Sequence, residues 1–530
     1  MTSSIGRSIF PLLAIAVAAR AQDGTALANV RYGDIPGQDA QSYAITLRVD
    51  LANKQLVGEV RYEFTATAAI GAVRLDALRS DDWHVRFTTA AGDDLPAAWT
   101  ADQVTLTLPE TAAAGSTIRF TAHLDGTPVD GFYFADNRYG ERLAFTDHYS
   151  IRARGWLPCE DNPADRARFS LLLHYPQTAE AIGFGAPATE PAGSSTAPDG
   201  YRSVYLAGAS EIPPYMLAIV VGPFARVHED GDPRLADHLV YRADADKAKA
   251  MLTHDAMWLQ TMERTFGPYP FAKYATVQCP TRWGGFEAPG NVQLAEGLFD
   301  DDARGTSTLA HELVHMWFGD GVGYAEWREV WLAEGFASYF GPWLHAAAGG
   351  PPLPDSLRAM RDRWLHGRDG ITKSIRDDRF PHPDLALNTN TYQKGAWVLH
   401  MLRGELGDEA FFAALKAYFA ACRGRSVRTA DFVAAVEKSC KRDLGWFFAQ
   451  WLDRIGCPEL RFSAANGKVV VEQLQKGDPY VFWLRLRTKE GIGEQFRVRV
   501  DQARQELAID GPPERLVVDP EVELLFRPAR

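Results

Sequence analysis

From Ser42 to Phe224 apolar and polar residues mostly alternate, as in Tyr43-Ala-Ile-Thr-Leu-Arg-Val, Val104-Thr-Leu-Thr-Leu and Phe169-Ser-Leu-Leu-Leu-His-Tyr. Pro, Gly and Asp clusters interrupt these runs at short intervals, so the stretch predicts an antiparallel β-sheet domain. Glu190–Asp199, rich in Pro, Ala, Ser and Gly, is expected as a loop. From Asp244 the period becomes helical: Lys247–Thr265, a run through position 311, Val330–Phe340, Leu357–Gly367, Tyr392–Leu406, Glu409–Ala421, Asp431–Cys440 and Leu444–Arg454. Alternation returns after Cys457, with strands expected at Lys468–Glu472, Val481–Thr488 and Gln495–Val500. The order predicts a multidomain α+β protein: a leader over residues 1–21, a β-sheet domain over 22–225, an α/β domain over 226–456 and a small C-terminal β domain over 457–530.

Length and composition agree with that division. A chain of 530 residues exceeds a single core, and 46% hydrophobic with 23% charged residues is ordinary for a globular protein. The net charge of −12 and pI near 5.6 argue against nucleic acid or an anionic membrane as partner. At the N-terminus Arg7 precedes the apolar run Ile9–Ala19, and Ala19-Arg20-Ala21 fits a small-x-small cleavage site before Gln22. Export to a periplasm or the extracellular space is the expectation, with no transmembrane segment left after cleavage. Cys159, Cys279, Cys422, Cys440 and Cys457 are too few for a disulfide scaffold. Cys422 and Cys440 fall in adjacent predicted helices, as a bridge or as two buried thiols.

One constellation names a chemistry. In His311-Glu312-Leu313-Val314-His315 the two histidines, at i and i+4, lie on one helix face and converge on one metal ion. Glu312 lies about 100° around the helix, placed to reach water rather than to ligate. After eighteen intervening residues Glu334 offers a third ligand from the Val330–Phe340 segment. Two His and one carboxylate, with a fourth position for water, is the zinc arrangement of a hydrolase, with one ion per chain. Thr306-Ser307 is expected to cap the helix and Gly319 to stop it. Leu309, Leu313, Met316 and Trp317 form an apolar stripe, and Val314 and Phe318 extend it, so the helix should be buried nearly all round.

The H-E-x-x-H-x18-E spacing, with HELVHMWFGDGV and then W-x-x-x-WLAEGFASYF from Trp327, resembles the aminopeptidase N and leukotriene hydrolase family of zinc metallopeptidases. Gly284-Gly285-Phe286-Glu287-Ala288 resembles that family's G-[AG]-M-E-N motif, and Tyr392-Gln393-Lys394-Gly395 its Y-E-K-G segment. Arg154 to Pro163 resembles its A-R-x-x-[FL]-P-C-x-D-x-P turn. The resemblance implies a thermolysin-like α/β zinc catalytic domain with His311, His315 and Glu334 as ligands and Glu312 as general base. It implies Tyr392 as donor to the oxyanion, Glu287 as receptor of the substrate's α-amine, and the Gly284-Gly285 backbone as an edge strand along the peptide. Ala288 stands where the family carries Asn, and Tyr149 where relatives carry a Glu or Gln that also contacts the amine, which thins amine recognition. The family's larger members carry a long C-terminal helical domain, whereas only about seventy residues, read as strands, follow Cys457.

The expected function is therefore an exported zinc aminopeptidase that hydrolyses the N-terminal peptide bond of peptides with a zinc-activated water. A zinc endopeptidase or bifunctional hydrolase on the same framework is the alternative if amine recognition is lost. A non-catalytic scaffold derived from the peptidase is the alternative of another class, and the intact ligand set with Glu312 argues against it.

Overall fold

The computed structural model describes residues 32–489 and 493–529. The expected leader, residues 1–21, lies outside the described residues. The N-terminal alternation becomes a seven-stranded sheet in the order Ala186–Pro187, Tyr201–Ala207, Arg168–Pro176, Gln38–Asp50, Gln55–Ala66, Thr117–Gly126, Trp83–Thr89. Tyr43, Ile45, Leu47 and Val49 point inward and are at most 2% exposed, as a period of two dictates. One pairing departs from the antiparallel expectation: Gln38–Asp50 runs parallel to Arg168–Pro176, with Tyr43 opposite Phe169. More than a hundred residues separate the two strands, enough for the crossover that a parallel pair requires. A four-stranded sheet, ordered Glu180–Gly183, Ile219–Gly222, Arg142–Thr146, Phe132–Asp136, leads from this domain towards the helices.

The helical half is built around a five-stranded sheet, ordered Phe224–Val227, His238–Tyr241, Thr276–Cys279, Val292–Ala295, Gly285–Phe286. The last of these pairs on one side only, antiparallel to Val292–Ala295, and forms a sheet edge. The helices of seven residues or more among the described residues are α1 (Ala245–Met251), α2 (Asp255–Phe266), α3 (Asp302–His315), α4 (Trp331–Ala347), α5 (Leu353–His366), α6 (Gly395–Leu406), α7 (Asp408–Cys422) and α8 (Thr429–Cys440), with single turns at Asp369–Thr372 and Gly445–Phe448. None of the described helices is long and apolar enough to cross a membrane.

Several boundaries differ from the sequence expectation, each for a local reason. The Lys247–Thr265 stretch is two helices, because the Glu229 carboxylate accepts from the Ala256 N–H at 3.2 Å and starts a new N-terminus. The zinc-motif helix α3 begins at Asp302 rather than at Thr306-Ser307; Asp301 caps it, accepting from the Arg304 N–H at 3.1 Å. Thr306 and Ser307 thus sit inside the helix. Gly305 sits there too, where a Cβ would lie 2.3 Å from Sδ of Met251. The same helix ends at His315, a turn before Gly319. In the other direction, α4 runs on to Ala347 through Pro342. Tyr392 is not in regular α-helix but in a wider π-type turn, Asn390–Lys394, that leads into α6.

After Cys457 the chain forms a four-stranded sheet (Arg504–Asp510, Lys468–Gln473, Glu459–Ala465, Arg527–Pro528) and a three-stranded one (Gln495–Val500, Phe482–Thr488, Leu516–Val518). Their inward residues, such as Val469, Leu484 and Leu507, share one apolar cluster with residues of α3, α4 and α6. A second cluster centres on the N-terminal sheet and reaches Phe286, Trp327 and Val330 of the helical half. All five cysteines are thiols, Cys422 buried and Cys440 half-buried.

Gly335 on α4 and Gly395 at the start of α6 let two backbones touch: a Cβ on Gly335 would lie 3.0 Å from Cα of Gly395. Gly335→Ala should push these segments apart at a cost of about 1–3 kcal/mol. The expected reading is a lowered unfolding temperature relative to Gly404→Ala, where a Cβ meets open space.

Candidate active site and metal centre

The two histidines and Glu334 meet because α3 and α4 pack closely at Gly341. A Cβ on Gly341 would lie 3.0 Å from Cα of His311, so only glycine allows this approach without a shift. In the resulting triangle His311 Nε2 is 3.2 Å from His315 Nε2 and 3.3 Å from Oε2 of Glu334. His315 Nε2 and the same oxygen are 3.5 Å apart. A tetrahedral ion with bonds of about 2.0–2.2 Å has edges of about 3.3–3.6 Å, so the triangle has the dimensions that would fit a zinc ion.

The proton positions agree. Nδ1 of His315 lies 3.1 Å from the Phe318 carbonyl, which can only accept, so Nδ1 carries hydrogen and Nε2 is the nitrogen left to face a metal ion. Gly319, φ +133°, lets the chain turn beside this ring, where a Cβ would lie 2.8 Å from Nδ1. Burial opposes charge on His315, but Glu287, Glu334 and Glu312 outweigh it and drive its pKa up to about 10. Burial likewise pushes Glu334 up, yet its hydrogen bonds with His311 and His315 prevail and hold it down at about 2. The pocket is thus tuned to hold positive charge, and a divalent ion would take it over from a proton.

A chamber of about 20 Å³, room for roughly one water, lies against this face. Tyr149, Gly285, Glu287, His311, Glu312, His315, Glu334 and Tyr392 all line it. Gly284 does not. Its carbonyl instead accepts from the Ala295 N–H at 3.0 Å within the sheet. Glu312 is buried, and its carboxylate fills the space a side chain on Gly285 would need, with a Cβ there only 2.2 Å from Oε1. Burial raises the Glu312 pKa well above the usual carboxylate range, with His315 opposing. Tyr392 stacks near-parallel to His311 at 6.2 Å, and its phenol feels the charge of Glu334. Burial and the Glu334 charge push its phenol upward, so it keeps its proton and remains a donor. Glu287 is 6% exposed, and burial raises it while His315 opposes.

Tyr149 is held edge-on by Tyr215, Trp283 and Trp327, with ring centroids 5.5–5.7 Å away, and its hydroxyl is 3.5 Å from that of Tyr324. Trp283, Phe286 and Leu387 also line the chamber, and sequence reasoning did not single them out. Trp283 and Phe286 adjoin or occupy the Gly284–Ala288 motif, which is the signal that points to them. Asp147 left no such signal. It accepts from Oγ1 of Thr281 at 3.1 Å, from the Arg282 N–H at 3.2 Å and from Nε1 of Trp283 at 3.0 Å, and so braces the loop ahead of Gly285.

A second His–carboxylate group, Glu229, His238 and Asp255, has metal-like spacing, with Nε2 of His238 3.9 Å from both carboxylates. Here Nδ1 accepts the Thr276 amide N–H at 3.1 Å, which leaves the ring proton on Nε2. That imidazole is a donor, the reverse of His315. Purified protein should therefore carry one zinc per chain by mass spectrometry of metals. His315→Ala and Glu334→Ala should lose it, and His238→Ala should keep it; two ions per chain, or loss from His238→Ala, would refute the assignment.

The model of the peptidase family M1 domain matches residues 250–451, and that of the peptidase M1 N-terminal domain matches residues 39–185. Aminopeptidase N of Streptomyces lividans is 33% identical over 47% of this chain and 31% of its own length. Aminopeptidase M1-B of Oryza sativa subsp. japonica is 27% identical over 82% of this chain and 52% of its own length. The chain thus spans about half the length of these relatives, or less. A crystal structure of an M1 zinc metallopeptidase mutant from Deinococcus radiodurans, bound to a Tyr-Ser-Ala substrate, superimposes with a TM-score of 0.66 at 26% identity. It covers 80% of this chain and 96% of that one. With two domain models of one family matched in order over well more than half of its residues, the chain belongs to peptidase family M1.

Proposed function

We propose that this chain is an exported zinc aminopeptidase that removes the first residue of peptides. The observation that carries the reading is the triangle of His311, His315 and Glu334, with Glu312 and Glu287 on the same chamber. A catalytic acid–base and an amine receptor thus share one small space. Similarity to proteins named aminopeptidase N and leucine aminopeptidase 2 supports it, as does a relative's structure with a tripeptide bound.

When bound, zinc polarises the scissile carbonyl and acidifies a water, which is what a water nucleophile needs near neutral pH. Glu312, on the same chamber as the ligand triangle, takes the proton from the attacking water and passes it to the leaving amine. Tyr392 turns its phenol from Glu334 to the developing oxyanion. Glu287 meets the substrate's ammonium, and the free edge of the Gly285–Phe286 strand takes the peptide backbone as an added strand. Tyr149 lines the same chamber as Glu287 and packs edge-on against Trp283, an aromatic wall in place of the family's amide or carboxylate.

Four measurements test this. Glu312→Gln should keep its zinc and lose turnover by about two to four powers of ten. Tyr392→Phe should lose about two to three powers of ten in kcat with little change in KM, because its bond matures only in the transition state. A free-amine peptide should be cut about ten- to a hundredfold better than its acetylated twin, and Glu287→Ala should remove most of that margin. Equal cleavage of the pair by the parent enzyme overturns the aminopeptidase reading in favour of an endopeptidase.

Export rests on Arg7, the apolar run Ile9–Ala19 and the Ala19-Arg20-Ala21 site. N-terminal sequencing of protein expressed with its full leader should find Gln22 first; an intact Met1 in the cytoplasmic fraction would overturn it.

A further inference from the structure

The chamber over the metal face opens into a larger cleft of about 410 Å³, and Trp283, His311, Leu387 and Tyr392 line both. Glu287 lines only the chamber, so a peptide held there by its ammonium lays the portion beyond the scissile bond in the cleft. Its register depends on how firmly each lining group is seated. Asp147 seats Trp283. The turn that carries Tyr392 is seated by Asn390, which accepts from Nε1 of Trp364 at 2.8 Å and donates to the Lys373 carbonyl at 3.0 Å. Glu287 directly follows Gly285–Phe286, an edge strand two residues long that pairs on one side only. So short a pairing leaves the side chain at its end to be aimed by the connection that follows.

That connection returns the chain to the Val292–Ala295 strand. Its sequence, Ala288-Pro289-Gly290-Asn291, is that of a type II turn, with Pro at the second position and Gly at the third. The backbone agrees: the Asn291 N–H donates to the Ala288 carbonyl at 2.9 Å, and Gly290 has a φ of +69°. All four residues are buried, so the oxygens on the outside of the turn need donors. Lys273 supplies them. Its Nζ donates to the Gly290 carbonyl at 3.0 Å and to Oδ1 of Asn291. Its backbone packs on the same turn: a Cβ on Gly290 would lie 2.6 Å from the Lys273 carbonyl oxygen, which accepts from the Tyr269 hydroxyl at 2.8 Å. Among the described residues both partners of the ammonium are neutral oxygens, and burial pulls its pKa down to about 7. An ammonium held there without an acid beside it serves through its directed donors.

We propose that Lys273 is a positioning residue for amine recognition: its Nζ fixes the turn from which Glu287 meets the substrate's N-terminus, and with it the register of the peptide on the edge strand. The proposal rests on the aminopeptidase reading and adds to it a residue that touches neither the metal site nor the peptide. With Asp147 ahead of Gly285 and Lys273 behind Glu287, the substrate-binding run is clamped at both ends.

The test compares kcat/KM for a free-amine peptide and its acetylated twin. Lys273→Met removes the donors at nearly constant side-chain length. It should lower the free-over-acetylated ratio about tenfold, through a raised KM for the free-amine peptide with kcat little changed. Lys273→Arg, which keeps donors, should restore most of that ratio. Asn291→Ala removes one of the two oxygens and should lower it less than Lys273→Met does. Adding Lys273→Met to Glu287→Ala should cost little beyond Glu287→Ala alone, because both act through one contact. An unchanged ratio in zinc-loaded Lys273→Met, an equal loss on both twins, or full additivity in the double variant would overturn the assignment. Amide hydrogen exchange over residues 284–291 reads the turn without turnover. Faster exchange in Lys273→Met than in Lys273→Arg keeps the clamp even where the parent cuts both twins equally and the aminopeptidase reading has failed. Equal exchange in the two variants, beside a normal free-amine preference in the parent, sinks the clamp and leaves that reading standing.

Discussion

Three electron-rich atoms held within 3.5 Å of one another, in a buried seam between two helices, set the terms for the rest of the molecule. Such a triangle repels itself unless a proton or a metal ion lies among its atoms, and dry surroundings amplify the repulsion. The seam is nevertheless pulled tight by residues chosen for what they lack. Gly341 lies against the His311 backbone, Gly319 against the His315 ring, and Gly335 against Gly395. The Phe318 carbonyl fixes one imidazole from behind. Packing energy spread over an apolar cluster that also takes in the C-terminal strands opposes the local electrostatic cost.

That arrangement explains which parts of the site were legible in the sequence. His311, Glu312 and His315 lie within one turn and a bit of helix, so spacing alone places them on adjoining faces. Glu334 is legible as the carboxylate that the next helical segment offers to two histidines, whereas Tyr392 and Glu287 are reachable only through resemblance, because nothing local in their segments says which way they turn. Gly284 shows the limit of a motif match: it belongs to the motif but spends its carbonyl on the sheet, while Gly285 next to it makes room for Glu312.

What stayed hidden depends on distant partners. The split between α1 and α2 comes from Glu229, 27 positions before the amide it caps. The parallel pairing of Gln38–Asp50 needs a strand more than a hundred residues away, and alternation carries no sign of direction. Asp147 and Asn390 look like ordinary polar residues in sequence, yet each anchors a loop of the cleft. The misplaced cap of α3 is different in kind. Thr306-Ser307 and Asp301 are both reasonable caps, and tertiary contact decided, since Gly305 packs on Met251 as part of the helix.

The short stretch from Asp147 to Arg152, just past the Arg142–Thr146 strand, grips both rims of the cleft. Asp147 holds the Thr281–Trp283 loop, and Ser150 and Arg152 hold Asp384, whose segment leads to Leu387 on the other rim. Tyr149 stands between the two grips and faces the chamber. The N-terminal β domain is thus a caliper whose jaws are read out on the catalytic half. The spacing of the two rims is tied to a turn that contributes none of the three atoms of the ligand triangle, so the mouth of the cleft and the triangle rest on different segments of the chain.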